Sequence, residues 1–137
     1  MTVIDTSGVV DFLLGVGVAE TVERLMANEG ELAAPDLLVF EVIAVLRRDT
    51  LRGALAPGRA AAAVDDLGDL PIGLFSSLPM RASAWSLHRN LTPADALFVA
   101  LAEQLGEPLA TKDGALAVEA AKHSSVQVMK LADRASA

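Results

Sequence analysis

Short β-branched apolar runs alternate along this chain with longer stretches of helical spacing, and Gly, Pro and Asp stand at the joints. Residues 2–4 read as a strand, ended by Asp5-Thr6-Ser7-Gly8, which supplies helix N-cap candidates. A short helix is predicted from there to about residue 14, then a break at Gly15-Val16-Gly17 and a second helix over 18–27. Residues 32–34 form a second strand closed by Pro35, and Asp36 is expected to cap a helix over 37–50, whose end Arg47 and Arg48 suit. Pro57-Gly58 opens a helix to 69, which Pro71 stops, and 72–75 is the third strand. Pro79 starts a helix to about 88, and Thr92-Pro93 starts another that Gly106 ends after 105. A fourth strand over 109–111, a helix over 115–122 and a last strand over 126–129 complete the order.

Strands alternating with helices predict a parallel sheet with helices on both faces. The expected architecture is a three-layer α/β/α domain with a short, mostly parallel central sheet of four to five strands. Its length of 137 residues, without linker, repeat or low-complexity segment, predicts a single domain over 1–137. Hydrophobic residues make up 53% but aromatics only 4%, so the core must be aliphatic, and a base-stacking platform is poorly supplied. There is no Cys, which excludes disulfides, thiolate metal sites and Cys nucleophiles and fits a reducing compartment. Mean hydropathy is +0.44, yet the best apolar run, 37–46, is interrupted by Glu41 and is too short to span a membrane. Asp5 and Asp11 interrupt the first apolar segment, which does not read as a signal peptide, so a soluble, cytoplasmic protein is expected. The net charge of −7 argues against a broad basic patch for loose nucleic-acid binding.

Four carboxylates stand out. Asp5 ends the first strand, and Asp113 follows the fourth in Thr111-Lys112-Asp113-Gly114. Each suits a turn or cap, but ligands of open α/β sheets also bind beyond the carboxyl ends of strands. Glu41 lies mid-helix, with Leu37, Leu38, Ala44 and Val45 as its helical neighbours. A cap cannot explain it, and an unpaired buried carboxylate costs several kcal/mol. It is therefore paired, protonated or on a metal, unless it sits at a solvent edge of a helix apolar all round. Asp95 occupies the third helical position after Thr92, in the manner of a capping box, on an otherwise apolar helix end. The four could converge at one edge of the sheet. Together they would repel and raise one another's pKa unless cations enter. Only oxygen ligands are on offer, which suits hard ions such as Mg²⁺ or Mn²⁺ and, with them, phosphoryl chemistry.

The ordered set Val-Ile-Asp5-Thr-Ser, Glu41 on the third helix, Leu-Thr-x-x-Asp95-Ala-Leu-x-Val-Ala-Leu-Ala-Glu and Leu-Ala-Thr-x-Asp113 resembles the PIN-domain ribonucleases, most of all the VapC toxins of bacterial toxin–antitoxin pairs. The resemblance runs from residue 2 to 129. It implies a metal-dependent endoribonuclease in which Asp5 and Asp95 hold the main Mg²⁺ (or Mn²⁺). Glu41 and Asp113 complete the cluster directly or through water, and Thr6 and Thr111 support it. A metal-activated water would attack phosphorus in line, leaving a 3′-hydroxyl and a 5′-phosphate on a tRNA, rRNA or mRNA. It further implies a cognate VapB-type antitoxin, which could insert a basic side chain into the acidic pocket, and a homodimer. Two positions depart from the pattern. Ala94 stands where an aromatic commonly precedes the third acid, and Phe98 where a Tyr is common.

Other signals are weak. Gly15-Val16-Gly17-Val18-Ala19-Glu20 nearly matches a dinucleotide fingerprint but ends in Glu20 and follows no strand directly. No phosphate-loop motif occurs, Ser76 and Ser77 lack a nucleophile-elbow context, and His88 and His123 suit surface or packing roles. Asp65, Asp66 and Asp69 read as a solvated face. Candidate RNA-backbone contacts are Arg47, Arg48, Arg52, Arg81, Arg89 and Lys112. Rival readings are a catalytically silent interaction module and another Mg²⁺-dependent phosphoesterase or nuclease.

Overall fold

The computed structural model describes residues 1–132, and positions 133–137 of the expected single domain lie outside the described residues. Strands β1 (Val3–Ile4), β2 (Leu32–Pro35), β3 (Ile72–Phe75), β4 (Leu109–Thr111) and β5 (Val128–Lys130) form one sheet in the order β3-β2-β1-β4-β5. Every neighbouring pair is parallel. Between the strands run α1 (Thr6–Leu14), α2 (Ala19–Glu29), α3 (Leu37–Leu51), α4 (Pro57–Leu67), α5 (Arg81–Ser86), α6 (Pro93–Leu105) and α7 (Gly114–His123). The chain builds outward from β1 through β2 to β3, then returns to the other side of β1 for β4 and β5. Right-handed crossovers place the helices of the first half on one face and those of the second half on the other. Accordingly α1 packs on α2, α3 and α4, while α6 crosses β1, β2 and β4 with α5 against it.

The strands β1, β2 and β4 are buried along their whole length, which is why they read as continuous apolar runs rather than alternating ones. The core is aliphatic as expected, with Ile4, Leu32, Leu38, Leu101 and Leu109 fully buried and Phe98 as its large ring. No described helix is long and apolar enough to cross a membrane.

Three local expectations are corrected. Asp36 does not cap α3: its backbone is already helical (φ −61°, ψ −21°), so the carboxylate cannot fold back onto the first-turn N–H groups. It instead accepts the Ser77 hydroxyl at 2.5 Å, tying the start of α3 to the loop after β3. The helix expected over 79–88 divides into a 3₁₀ turn at Leu78–Met80, which takes up Pro79, and the shorter α5. The last strand lies two residues later than its expected start, because Val128 is the residue in register with Leu109.

The turn after α1 depends on two glycines. Gly15 ends the helix in the left-handed region (φ 67°), and Gly17 is also left-handed (φ 52°). A Cβ at Gly17 would lie 2.2 Å from Asp11 Oδ2. That carboxylate is not free to move aside, since it accepts the Val18 N–H at 3.1 Å and Lys112 Nζ at 2.7 Å. Gly17→Ala should therefore lower stability by about 2 kcal/mol, from left-handed strain and the displaced carboxylate. Gly58→Ala, in α4 with no atom near its Cβ position, should be neutral or raise stability by about 0.5 kcal/mol. Urea melts of both variants check this; equal stabilities would show that the turn tolerates a side chain.

Candidate active site

The strand order reverses at β1. The loop after β1 leaves toward one layer of helices and the loop after its neighbour β4 toward the other, which opens a crevice at their carboxyl ends. Asp5 stands at one lip. It is 6% exposed and N-caps α1, with Oδ1 accepting the Gly8 N–H at 3.3 Å and the Ser7 hydroxyl at 3.0 Å. From the other lip Thr111, fully buried, donates its hydroxyl to Asp5 Oδ2 at 2.5 Å. The same Oγ1 accepts the Asp113 N–H at 3.0 Å. Asp113 in turn N-caps α7, its Oδ1 accepting from the Ala115 and Leu116 N–H groups. Asp5 and Asp113 thus each cap a helix while standing at the carboxyl end of a strand, one on each lip of the crevice.

Glu41 comes from α3, which buries only the stripe Leu38, Val42 and Leu46. Val39, Phe40 and Ile43 are exposed, so the helix is apolar nearly all round but covered on one side. Glu41 lies half-buried at the edge of that stripe and accepts the Thr6 hydroxyl at 2.6 Å. Asp95 is in the first turn of α6, and its N–H is capped by Thr92 Oγ1 at 3.2 Å. All four acids line one open pocket of about 600 Å³ whose wall includes Phe98.

The electrostatics follow from that convergence. Burial pushes the Asp5 carboxyl above its ordinary value of 3.8; hydrogen bonds from Thr111, Ser7 and Gly8 oppose the shift, and the Asp113 charge adds to it. Asp95 is also raised, first by burial and then by the charges of Asp113, Asp5 and Glu41, against the Thr92 hydrogen bond. The donor set is oxygen-only and negatively charged, and the acids feel one another, which suits a hard divalent cation. As they stand, no three acid or imidazole side chains among the described residues close tightly enough to enclose an ion. The arrangement is an open acidic pocket rather than a preformed cage.

Sequence reasoning missed several residues of this pocket. Ser7 supports Asp5, and Asp11 and Asp49 add two further carboxylates to the lining. Asp11 carries the same signal as Glu41, an acid inside an apolar helix. Of the six candidate RNA contacts, Arg48 and Lys112 line the pocket. Arg47 instead faces a separate hollow between α3 and α4, with Leu46 and Val64.

The raised acids make a pH prediction. Below about pH 4 the folded and unfolded chains are both protonated at Asp5 and Asp95, and the two groups contribute nothing. As pH rises, the unfolded chain releases protons that the folded chain keeps, so stability falls until the folded-state pKa values are passed. In EDTA, Asp95→Asn should melt higher than the wild type at neutral pH, with the difference shrinking toward pH 4. A variant that melts lower by the same margin at every pH would make Asp95 a plain helix-end residue.

The chain matches known proteins in sequence and in fold. The PIN domain family profile matches residues 2–122. Ribonuclease VapC1 of Mycobacterium tuberculosis is 40% identical over 116 residues, covering 84% of this chain and 87% of that protein. Ribonuclease VapC12 of the same organism is 30% identical over 129 residues, covering 94% and 99%. The crystal structure of PAE2754 from Pyrobaculum aerophilum superposes with a TM-score of 0.70 at 17% identity, over 93% of this chain and 81% of that one, a likeness of fold. The chain belongs to the PIN-domain family, in its VapC branch.

Proposed function

We propose that the chain is an endoribonuclease toxin that hydrolyses RNA phosphodiester bonds with a divalent cation, Mg²⁺ or Mn²⁺, held by Asp5 and Asp95, with Glu41 and Asp113 completing the set. The observation that carries this reading is the convergence of four carboxylates, from two strand ends and two helices, on one open pocket. The relatives named ribonucleases support RNA as the substrate. A bound cation would supply the activated water and the positive charge that phosphodiester hydrolysis needs.

The chain's own residues prepare for it. Thr111, Ser7 and the Gly8 N–H fix Asp5, and Thr6 fixes Glu41. These partners are neutral, so they orient the acids without cancelling their charge. The Thr111 bond to Asp5 ties the two lips of the crevice together, and the same hydroxyl oxygen holds the Asp113 N–H on its own lip. Phe98 and the buried strand ends limit water behind the acids.

Two partners belong to the same proposal. A VapB-type antitoxin would neutralise the toxin by laying a basic side chain into the acidic pocket beside the exposed apolar residues Val39, Phe40 and Ile43. A homodimer is supported by Leu74, Leu78 and Trp85, exposed large side chains that a second copy would cover.

The test is cleavage of structured RNA by the purified chain in Mg²⁺, in Mn²⁺ and in EDTA, with single-stranded DNA and a phosphomonoester as competing substrate classes. Asp5→Asn and Asp95→Asn should each lower RNA cleavage by about 100-fold or more while circular dichroism stays unchanged. Cleavage that persists in EDTA, or full activity in both variants, would overturn the assignment; activity on the phosphomonoester alone would make the chain a phosphatase.

A further inference from the structure

Lys112 follows Thr111 directly, so its backbone is fixed by the hydroxyl that joins Asp5 to Asp113. From the β4–α7 loop its Nζ reaches Asp11 Oδ2 on α1 at 2.7 Å. Asp11 is 7% exposed, and a second bond, from the Val18 N–H, holds the same oxygen. The left-handed Gly17 lets the α1–α2 turn close over it. An ammonium has three N–H donors, and the bond to Asp11 uses one. The Lys112 side chain is 39% exposed and lines the same pocket as the four acids.

Stability alone is a weak reason for this construction. A lysine–carboxylate pair that reaches solvent contributes about 0–1 kcal/mol. Here a buried acid, a glycine-dependent turn and a rigid strand end all serve to hold one cation beside Asp113. The pocket otherwise repels a polyanion: six carboxylates line it against Lys112 and Arg48, and Arg48 is engaged by Asp49 at 3.2 Å.

We propose that Lys112 is a substrate-contacting residue that binds a non-bridging oxygen of an RNA backbone phosphate, and that Asp11 is the positioning residue that aims it. The proposal rests on the nuclease reading and adds the group that grips the substrate. Nothing covalent occurs at Lys112; it donates hydrogen bonds and charge, while its tie to Asp11 sets where the phosphate lies relative to the acids.

The experiment measures binding of a 2′-O-methylated RNA hairpin, which resists hydrolysis, to the full chain in Mg²⁺ by fluorescence anisotropy across a salt series. Cleavage of the unmodified hairpin is followed in parallel. Lys112→Met should weaken binding by about 3- to 10-fold and reduce the slope of log Kd against log salt by about 0.7 for a single-stranded contact, or about 0.9 for a duplex. Lys112→Arg should restore the slope. Asp11→Asn keeps an acceptor for the Val18 N–H and should weaken binding a few-fold with the slope unchanged, since the cation remains but is no longer aimed. A wild-type slope in Lys112→Met, with a lowered melting temperature, would make the pair a structural tie and overturn the proposal. Should Lys112→Met fail to fold, Lys112→Gln against Lys112→Arg carries the same comparison. Failure of the nuclease reading looks different: the hairpin binds and Lys112→Met lowers the slope, but the wild type cleaves nothing. A wild type that neither binds nor cleaves overturns both.

Discussion

Thr111 holds the Asp5 carboxylate in the crevice between β1 and β4, and the surrounding arrangement depends on that bond. Burying a carboxylate with no partner costs several kcal/mol, and an arginine or lysine would be the usual remedy. Here the remedy is a hydroxyl, with one donor for Asp5 and an acceptor for the Asp113 N–H. Ser7 and Thr6 follow the same rule toward Asp5 and Glu41. Neutral partners satisfy hydrogen bonds and set direction but leave the pocket's negative charge in place. Burial first, and the neighbouring acids after it, hold the Asp5 and Asp95 carboxyls above their ordinary value, which a cation would relieve.

Helix ends moderate the repulsion. Asp5 caps α1, Asp113 caps α7, and Asp95 lies in the first turn of α6, so three of the four acids stand at helix N-termini, where partial positive charge favours them. Glu41 has no such end; it lies inside α3 and relies on Thr6. The doubly wound topology makes the gathering possible. At the switch point two neighbouring strands release their chains to opposite faces, so helix N-termini from both layers reach one crevice.

Much of this was legible in the chain itself. The alternation of strands and helices, the start of β3 and β4, and the caps at Asp5, Thr92 and Asp113 follow from β-branched runs and cap chemistry that act locally. Glu41 announced itself as an acid in an apolar helix. What was not legible depends on distant residues. Asp36 has the right type and place for a cap, but its backbone geometry and Ser77, far along the chain, decide otherwise. The strand order and the register of β5 reside in pairing, to which local propensity is blind. The tie from Asp11 to Lys112, 101 residues away, is likewise set by the tertiary fold. The solvent-edge reading of Glu41 stayed open in the sequence because apolar neighbours on a helix do not show which of its sides is covered: Phe40, next to Glu41 in the chain, is 74% exposed.

The segment Gly15-Val16-Gly17 shows how a motif can mislead and still matter. Its glycines suggest a backbone that approaches a phosphate closely, but the turn follows α1 and not a strand. They do allow a close approach, but of the chain to its own Asp11. A glycine demanded by φ and by a neighbour's carboxylate looks, in sequence, the same as one demanded by a ligand. The difference lies in what fills the space where a Cβ would be. At Gly17 that space is taken by Oδ2 of an acid that is itself held by Lys112 across the pocket. The net charge of −7 is a sum over the whole chain, of whose 18 acids six line the pocket, with Lys112 fixed at its edge. What a ligand meets at the pocket is set by the local placement of charge, here fixed by a turn and a strand end.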